Sequence, residues 1–369
     1  MTKKTAIDKE LSQTISLIRI PLALLIIFGH SDILSFPLIS NGELVTYNQS
    51  IIRYPIILFS QILFGPAVPL FFMISGYLFF FNSNCLDKRL CVSKLKKRMK
   101  TLLVPYLLWN ILYVIYTMLG LISKGQEFDI FQLLSGVWSM AGSNFPADPA
   151  LWFVRDLMII MFLSPVVDIV ISKQYFFIPF ILTSFSIWLV STSSDLILPG
   201  FSVNSILFFT IGGFLGKKNI NVTTYLKRMG GGILFVWITI SILIIIFKKY
   251  PVFSTDPVLL QNDQFYRMIC KFNNFLGCIS FLFVTTLFSK GYIIKNVKSD
   301  HSFIIFSAHM MILMILSKLY DKLLPMEISS CLALFIYFAN VIFTFLFSIA
   351  ISILIHKNKQ ATFLFAGGR

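Results

Sequence analysis

Acidic residues are scarce in this chain: Asp and Glu number 16 in 369 residues, against 31 Lys and Arg, and all charged residues together make up 13%. A soluble domain of ordinary size carries about twice that share of charge, and no stretch here is polar enough to form one. Also missing are a GxxxxGK[ST] loop, an HExxH pair, a GxSxG elbow and any run of acidic residues inside the apolar segments. ATP hydrolysis, zinc proteolysis, hydrolase-type serine chemistry and acidic proton relays are therefore unsupported. The five cysteines split between a polar segment (Cys85, Cys91) and apolar runs (Cys270, Cys278, Cys331) without metal-type spacing. Neither a structural disulfide nor a metal site is expected. No two halves share charge or Gly/Pro landmarks, which disfavours transporter folds built from repeats.

What the chain has instead is apolar and aromatic: 57% hydrophobic residues, 40 phenylalanines and a mean hydropathy of +0.82. Runs of about 20 apolar residues recur with short polar breaks, the signature of membrane-crossing helices. The expected fold is an all-α, polytopic membrane protein of one domain, 1–369, with ten spans. These are 14–34, 56–82, 101–122, 151–171, 174–193, 202–216, 230–247, 268–288, 301–320 and 328–355. The first run is too long for a signal peptide and lacks a small-residue cleavage site. With ten spans the termini share a side; that side collects 21 Lys and Arg, the other nine. Both termini are expected in the cytoplasm, with tails 1–13 and 356–369, a basic cytoplasmic segment 83–100 and an external loop 123–150. The net charge of +15 is thus explained by orientation in a bilayer and gives no reason to expect nucleic acid. The localisation expected is the cell (inner) membrane, and a homo-oligomer is compatible with the sequence.

The first span, ISLIRIPLALLIIFGHSDIL (15–34), contains Arg19 and His30. Eleven residues at about 100° each make three turns plus roughly 20°, so both side chains leave one helix face, about 16 Å apart. Ionisable groups at membrane depth cost at least ~2.5 kcal/mol on insertion scales, and two on one face suggest a protein-lined, wet interior. The alternative is that Arg19 snorkels and His30 marks the far interface. Asp32 points to a different face and is not expected to orient His30.

Four further stretches carry chemistry. In DKRLCVSKLKKRMKTLLVPYLLW (87–109), Lys94, Lys97 and Arg98 share a helix face that would bind lipid headgroups or grip the phosphates of a cytosolic cofactor. In GPAVPLFFMISGYLFF (65–80), Ser75 and Gly76 remove bulk, for helix packing or for a ligand. In PALWFVRDLMIIMFLSP (149–165), Trp152 sits at an interface beside Arg155 and Asp156, which form an ion pair or contact substrate. DHSFIIFSAHMMIL (300–313) places His309 about two turns into a span, as a structural group or as a substrate or proton contact. The loop 123–150 has enough apolar content to fold back over the helices.

Together these landmarks resemble the acyltransferase-3 family of integral membrane acyltransferases. The likeness rests on Arg, ten residues, His (Arg19, His30), then PLFFMISGYLF (69–79), KKRMKTLLVPYLLW (96–109), LWFVRDLMIIMFLSP (151–165), SFIIFSAHMMI (302–312) and the terminal AGGR (366–369). The resemblance implies O-acyl transfer, with acetyl as the expected acyl group, from acyl-CoA (acetyl-CoA) to a surface polysaccharide or lipid-linked glycan. It implies that His30 is catalytic and Arg19 its partner in the donor channel. Arg98 matches the first of two arginines in the basic motif; Thr101 stands at the second, with Lys97 or Lys100 able to compensate. Trp152, Arg155, His309 and Ser75 are then candidates for acceptor or transition-state contacts, and no metal is implied. Two other classes remain open on the residues: a transporter or flippase for a glycan or amphiphile, and a sensor or structural partner of a glycan-assembly complex.

Overall fold

The computed structural model describes residues 9–81, 88–140, 145–191, 201–247, 264–289 and 299–368. Lys3, Lys4, Cys85, Arg369 and most of the basic and external stretches around 249–263 and 290–298 lie outside the described residues.

The protein is an all-α, multi-pass membrane protein, as the apolar runs require: in hydrocarbon a helix satisfies its own backbone. Its helices are α1 (Lys9–His30), α2 (Gln49–Ile57), α3 (Ala67–Phe80), α4 (Lys88–Ser123), α5 (Ile130–Ser135), α6 (Trp152–Phe162) and α7 (Ser164–Ser172). They continue with α8 (Gln174–Val190), α9 (Val203–Lys217), α10 (Val222–Phe247), α11 (Gln264–Phe288), α12 (Ser302–Leu323), α13 (Ser330–His356) and α14 (Lys359–Ala366). One short hairpin, β1 (Ile39–Ser40) and β2 (Glu43–Leu44), follows α1.

Among the described residues seven helical stretches are long and apolar enough to cross a membrane: α1, 52–80, α4, α10, α11, α12 and α13. The other three expected spans are helical too, in elements below that length. The 151–171 segment breaks into α6 and α7 where Pro165, lacking an N–H, opens a new helix. Lys173 is extended, and α7 and α8 bend there by 115°. The third, α9, has 15 residues.

The helices group into two compact units, one of residues 71–220 and 351–369, the other of 7–70 and 221–350. In the first, α3 and α9 meet backbone to backbone. A Cβ on Gly212 would lie 1.9 Å from the Met73 carbonyl oxygen, and one on Gly76 2.0 Å from that of Phe209. Gly76, which the sequence offered to helix packing or to a ligand, therefore serves helix packing. In the same unit α14 lies on α4. The Trp109 indole donates to the Phe365 carbonyl at 3.0 Å, and Gly367 turns with φ +68° against the Thr101 carbonyl.

The second unit wraps α1. Ala23 and Ile27 pack on Ile305 and Val341, while Ile33, Leu38 and Ile56 form a further cluster with Ile336 and Tyr337. Between α2 and α3 the chain runs through a π-helical stretch, Leu58–Leu63, before the Gly65–Pro66 break. Such widened turns are frequent near functional sites, and this one faces the end of α1.

Candidate active site

Helix α1 is continuous from Arg19 to His30, so the eleven-residue spacing does put both on one face, about 16 Å apart along the axis. Arg19 is half-buried at the middle of the helix, and His30 is the last helical residue, also half-buried. The helix stops there for a local reason. Asp32 folds its carboxylate back on its own turn: Oδ1 accepts the Leu34 and Ser35 N–H groups at 2.9 and 3.3 Å, and Oδ2 accepts the Ser35 hydroxyl at 2.8 Å. This is the Asx-type competition that ends helices.

The last turn of α1 is held from several sides. Ser60, in the π-helical stretch, donates to the Phe28 carbonyl at 2.8 Å and lies 2.7 Å from the Tyr337 hydroxyl. Phe28 stacks on Phe59 with ring centroids 4.8 Å apart. Gly29 leaves room for Phe64, whose ring a Cβ at that position would meet at 2.6 Å; Phe64 in turn packs edge-on to His30 at 6.1 Å. The Tyr47 hydroxyl donates to the Ile33 carbonyl at 3.0 Å. Burial, with the Asp32 charge second, pushes the Tyr47 phenol up to about 12, so it remains a donor at neutral pH.

A second histidine stands behind the first. His309, fully buried on α12, has its ring centroid 5.2 Å from that of His30, with the planes 39° apart. Its Nδ1 lies 2.6 Å from the Phe306 carbonyl oxygen.

In front of His30 opens a cavity of about 330 Å³. Near His30 it is apolar, with Ile33, Leu38, Met310, Leu313 and Met314 on its walls; further along α12 come Ser317, Lys318 and Asp321. The stripe 310, 313, 314, 317, 318, 321 is one helix face. The hairpin closes one side, since Asp321 accepts the Gly42 N–H at 2.9 Å through Oδ1. Tyr320 donates to Asn340 at another wall.

The remaining candidates belong to the first unit. Arg98 on α4 is half-buried, and its guanidinium has no hydrogen-bond partner among the described residues; Lys97 is exposed. Lys100 lies over the Phe363 ring at 5.4 Å. Lys94, which shares their face, donates to the Phe79 carbonyl. Ser75 is half-buried on α3 and Trp152 half-buried at the start of α6. Arg155, 2% exposed, donates to the Trp138 carbonyl at 2.8 Å, lies 5.9 Å from the Trp138 ring and pairs with Asp156 at 3.4 Å. Asp156 also accepts the Ser202 N–H and the Ser205 hydroxyl, both at 2.9 Å. These bonds tie the 123–150 segment and the start of α9 to α6, a structural use for the pair.

The same segment ends in a carboxyl that sequence reasoning missed. Asp148 is fully buried; Oδ1 accepts the Ala150 N–H at 3.1 Å, and Oδ2 has no partner among the described residues. Burial raises its pKa from 3.8 to about 8, against the lowering effect of the Ala150 bond. The folded protein therefore holds a proton that the unfolded chain releases above pH 4. Stability conferred by this group is full below pH 4 and is lost as pH rises through about 8. Asp148→Asn keeps the cap and removes the titration. Its melting temperature is expected to match wild type near pH 5 and exceed it near pH 8.5; equal values at both would show that Asp148 is solvated.

Against known proteins, the acyltransferase-3 family's model, described as an acyltransferase domain, matches residues 13–357. No curated protein and no solved structure matches the chain.

Proposed function

Because the chain belongs to the acyltransferase-3 family, we propose that it transfers an acyl group, acetyl in the first instance, from cytosolic acyl-CoA to a hydroxyl of a surface polysaccharide or lipid-linked glycan. The observation that carries this reading is His30: an imidazole at a helix end, half-buried, open to a cavity, with no hydrogen bond to its nitrogens among the described residues. A structural histidine at membrane depth is expected to be bonded; one left available suits a proton acceptor.

The reaction has simple requirements. Acyl-CoA is anionic at its nucleotide end and carries the thioester on a long flexible arm. Arg19 supplies a cation for the donor, and the arm runs along the Arg19–His30 face of α1; the family resemblance adds Arg98, with Lys97 and Lys100, as phosphate-binding candidates. The acceptor hydroxyl enters through the cavity. Neutral His30 takes its proton as the oxygen attacks the thioester carbonyl carbon. The C–S bond then breaks, and the imidazolium returns the proton to the departing thiolate. Low dielectric and fixed positions in such a site favour direct transfer over hydrolysis. In this orientation both termini are cytoplasmic and the cavity opens on the far side of the cell membrane.

The test is acetyl-CoA turnover by the purified protein in nanodiscs, with and without crude envelope glycan. The expected result is CoA release in step with label transferred to the glycan. Label moved across a sealed bilayer without CoA release would instead support a flippase.

A further inference from the structure

We propose that His309 is a positioning residue for His30: its Nε2 accepts the N–H of the His30 ring and so keeps the other His30 nitrogen bare toward the cavity. The inference rests on the reading of His30 as the base.

The tautomer of His309 follows from its partner. A carbonyl oxygen only accepts, so the Nδ1 that lies 2.6 Å from the Phe306 carbonyl carries the proton, and Nε2 carries the lone pair. That Nε2 is buried without a hydrogen-bond partner among the described residues. Leaving a buried acceptor unmet is costly, and such an atom calls for an explanation.

Two features say which donor meets it. His309 is fully buried and does not line the cavity that His30 lines, so a substrate hydroxyl reaches His30 first. The neighbour that can turn an N–H to Nε2 is the His30 ring, at a centroid separation of 5.2 Å. Two imidazoles edge to edge at that separation bring facing nitrogens to roughly 3 Å, within hydrogen-bond range. A rotation of the His30 ring completes the contact, as catalytic hydrogen bonds often tighten only in the working complex. The nearest carboxylate in sequence, Asp32, has both oxygens engaged by its own turn. His309 thus fills the orienting place, and as a neutral partner it fixes geometry without adding charge.

The test is solid-state NMR of the full chain in nanodiscs, labelled with ¹⁵N-histidine and saturated with acetyl-CoA; four histidines make assignment by substitution direct. The expected wild-type spectrum has His30 in one tautomer, with a nitrogen–nitrogen coupling to His309. In His309→Asn, the amide can still donate to the Phe306 carbonyl but leaves nothing at the Nε2 position, and His30 is expected to populate both tautomers. His309→Gln, whose carbonyl reaches that position, restores one. In turnover, His309→Asn lowers kcat about tenfold or more with KM for acetyl-CoA unchanged. Absence of the wild-type coupling, or an unchanged His30 tautomer in His309→Asn, overturns the proposal. The spectrum needs no turnover: failure of the acyltransfer reading would appear as an intact coupling without CoA release.

Discussion

His30→Ala is expected to abolish acceptor-dependent CoA release, lowering kcat by about 10²–10⁴-fold, the usual worth of a positioned general base. The change removes an imidazole at the helix end, where the fold has little invested in it. The last turn of α1 is held by Ser60 on the Phe28 carbonyl and by the Phe28–Phe59 stack, and the chain is turned by Asp32. His30→Ala is therefore expected to fold, with unaltered affinity for acetyl-CoA and a melting temperature lowered only by leaving the buried His309 Nε2 without its donor. Arg19→Ala, about 16 Å away on the same face, should do the converse: weaken donor binding with the chemical step preserved at saturation. Binding is read by calorimetry and the chemical step by single turnover. A His30→Ala protein with full activity would remove the base from this site and favour a sensor or structural role. Loss of folding in His30→Ala would mean that the histidine is structural.

The sequence made the helix face legible and left the pocket hidden, for a geometric reason. Arg19 and His30 belong to one regular helix, where spacing alone fixes orientation. The cavity is built where the end of α1, the 33–39 segment and α12 meet, and no local pattern relates His30 to Met314 or Asp321 nearly three hundred residues on. His309 was visible as a second intramembrane histidine; that it stands behind His30, shielded from the cavity, is a tertiary fact. Ser60 was one serine in an apolar run, and its hold on α1 depends on a π-helical stretch that composition does not announce. Hydropathy also does not register backbone breaks within or beside an apolar run. Pro165 divides the 151–171 run into α6 and α7, and the extended Lys173 lies between two expected spans, where α7 and α8 bend by 115°. Arg155 and Asp156 are adjacent in sequence, but their bonds to Trp138 and Ser205 come from other elements.

Met314→Trp should separate the two substrates. Met314 lies on the cavity wall one turn beyond Met310, between the apolar part next to His30 and the polar part at Ser317 and Lys318. An indole there occupies the passage an acceptor hydroxyl would need, and it stands on α12, away from the α1 face along which the donor is proposed to lie. Transfer to glycan is expected to fall about tenfold or more through a raised acceptor KM, within the range that pocket occlusion commonly gives. Affinity for acetyl-CoA should be unchanged. Enlarging a packed position costs typically 1–3 kcal/mol where the surroundings cannot yield; an existing cavity supplies the space, so the loss of stability should be small. Met314→Leu, close in volume and shape, is the control and should behave as wild type. If Met314→Trp transfers acyl groups to glycan at the normal rate, the acceptor does not pass through this cavity, and His30 must be reached from another side. If instead donor affinity drops, the cavity belongs to the acyl-CoA, and the apolar walls beside His30 are those of an acyl pocket.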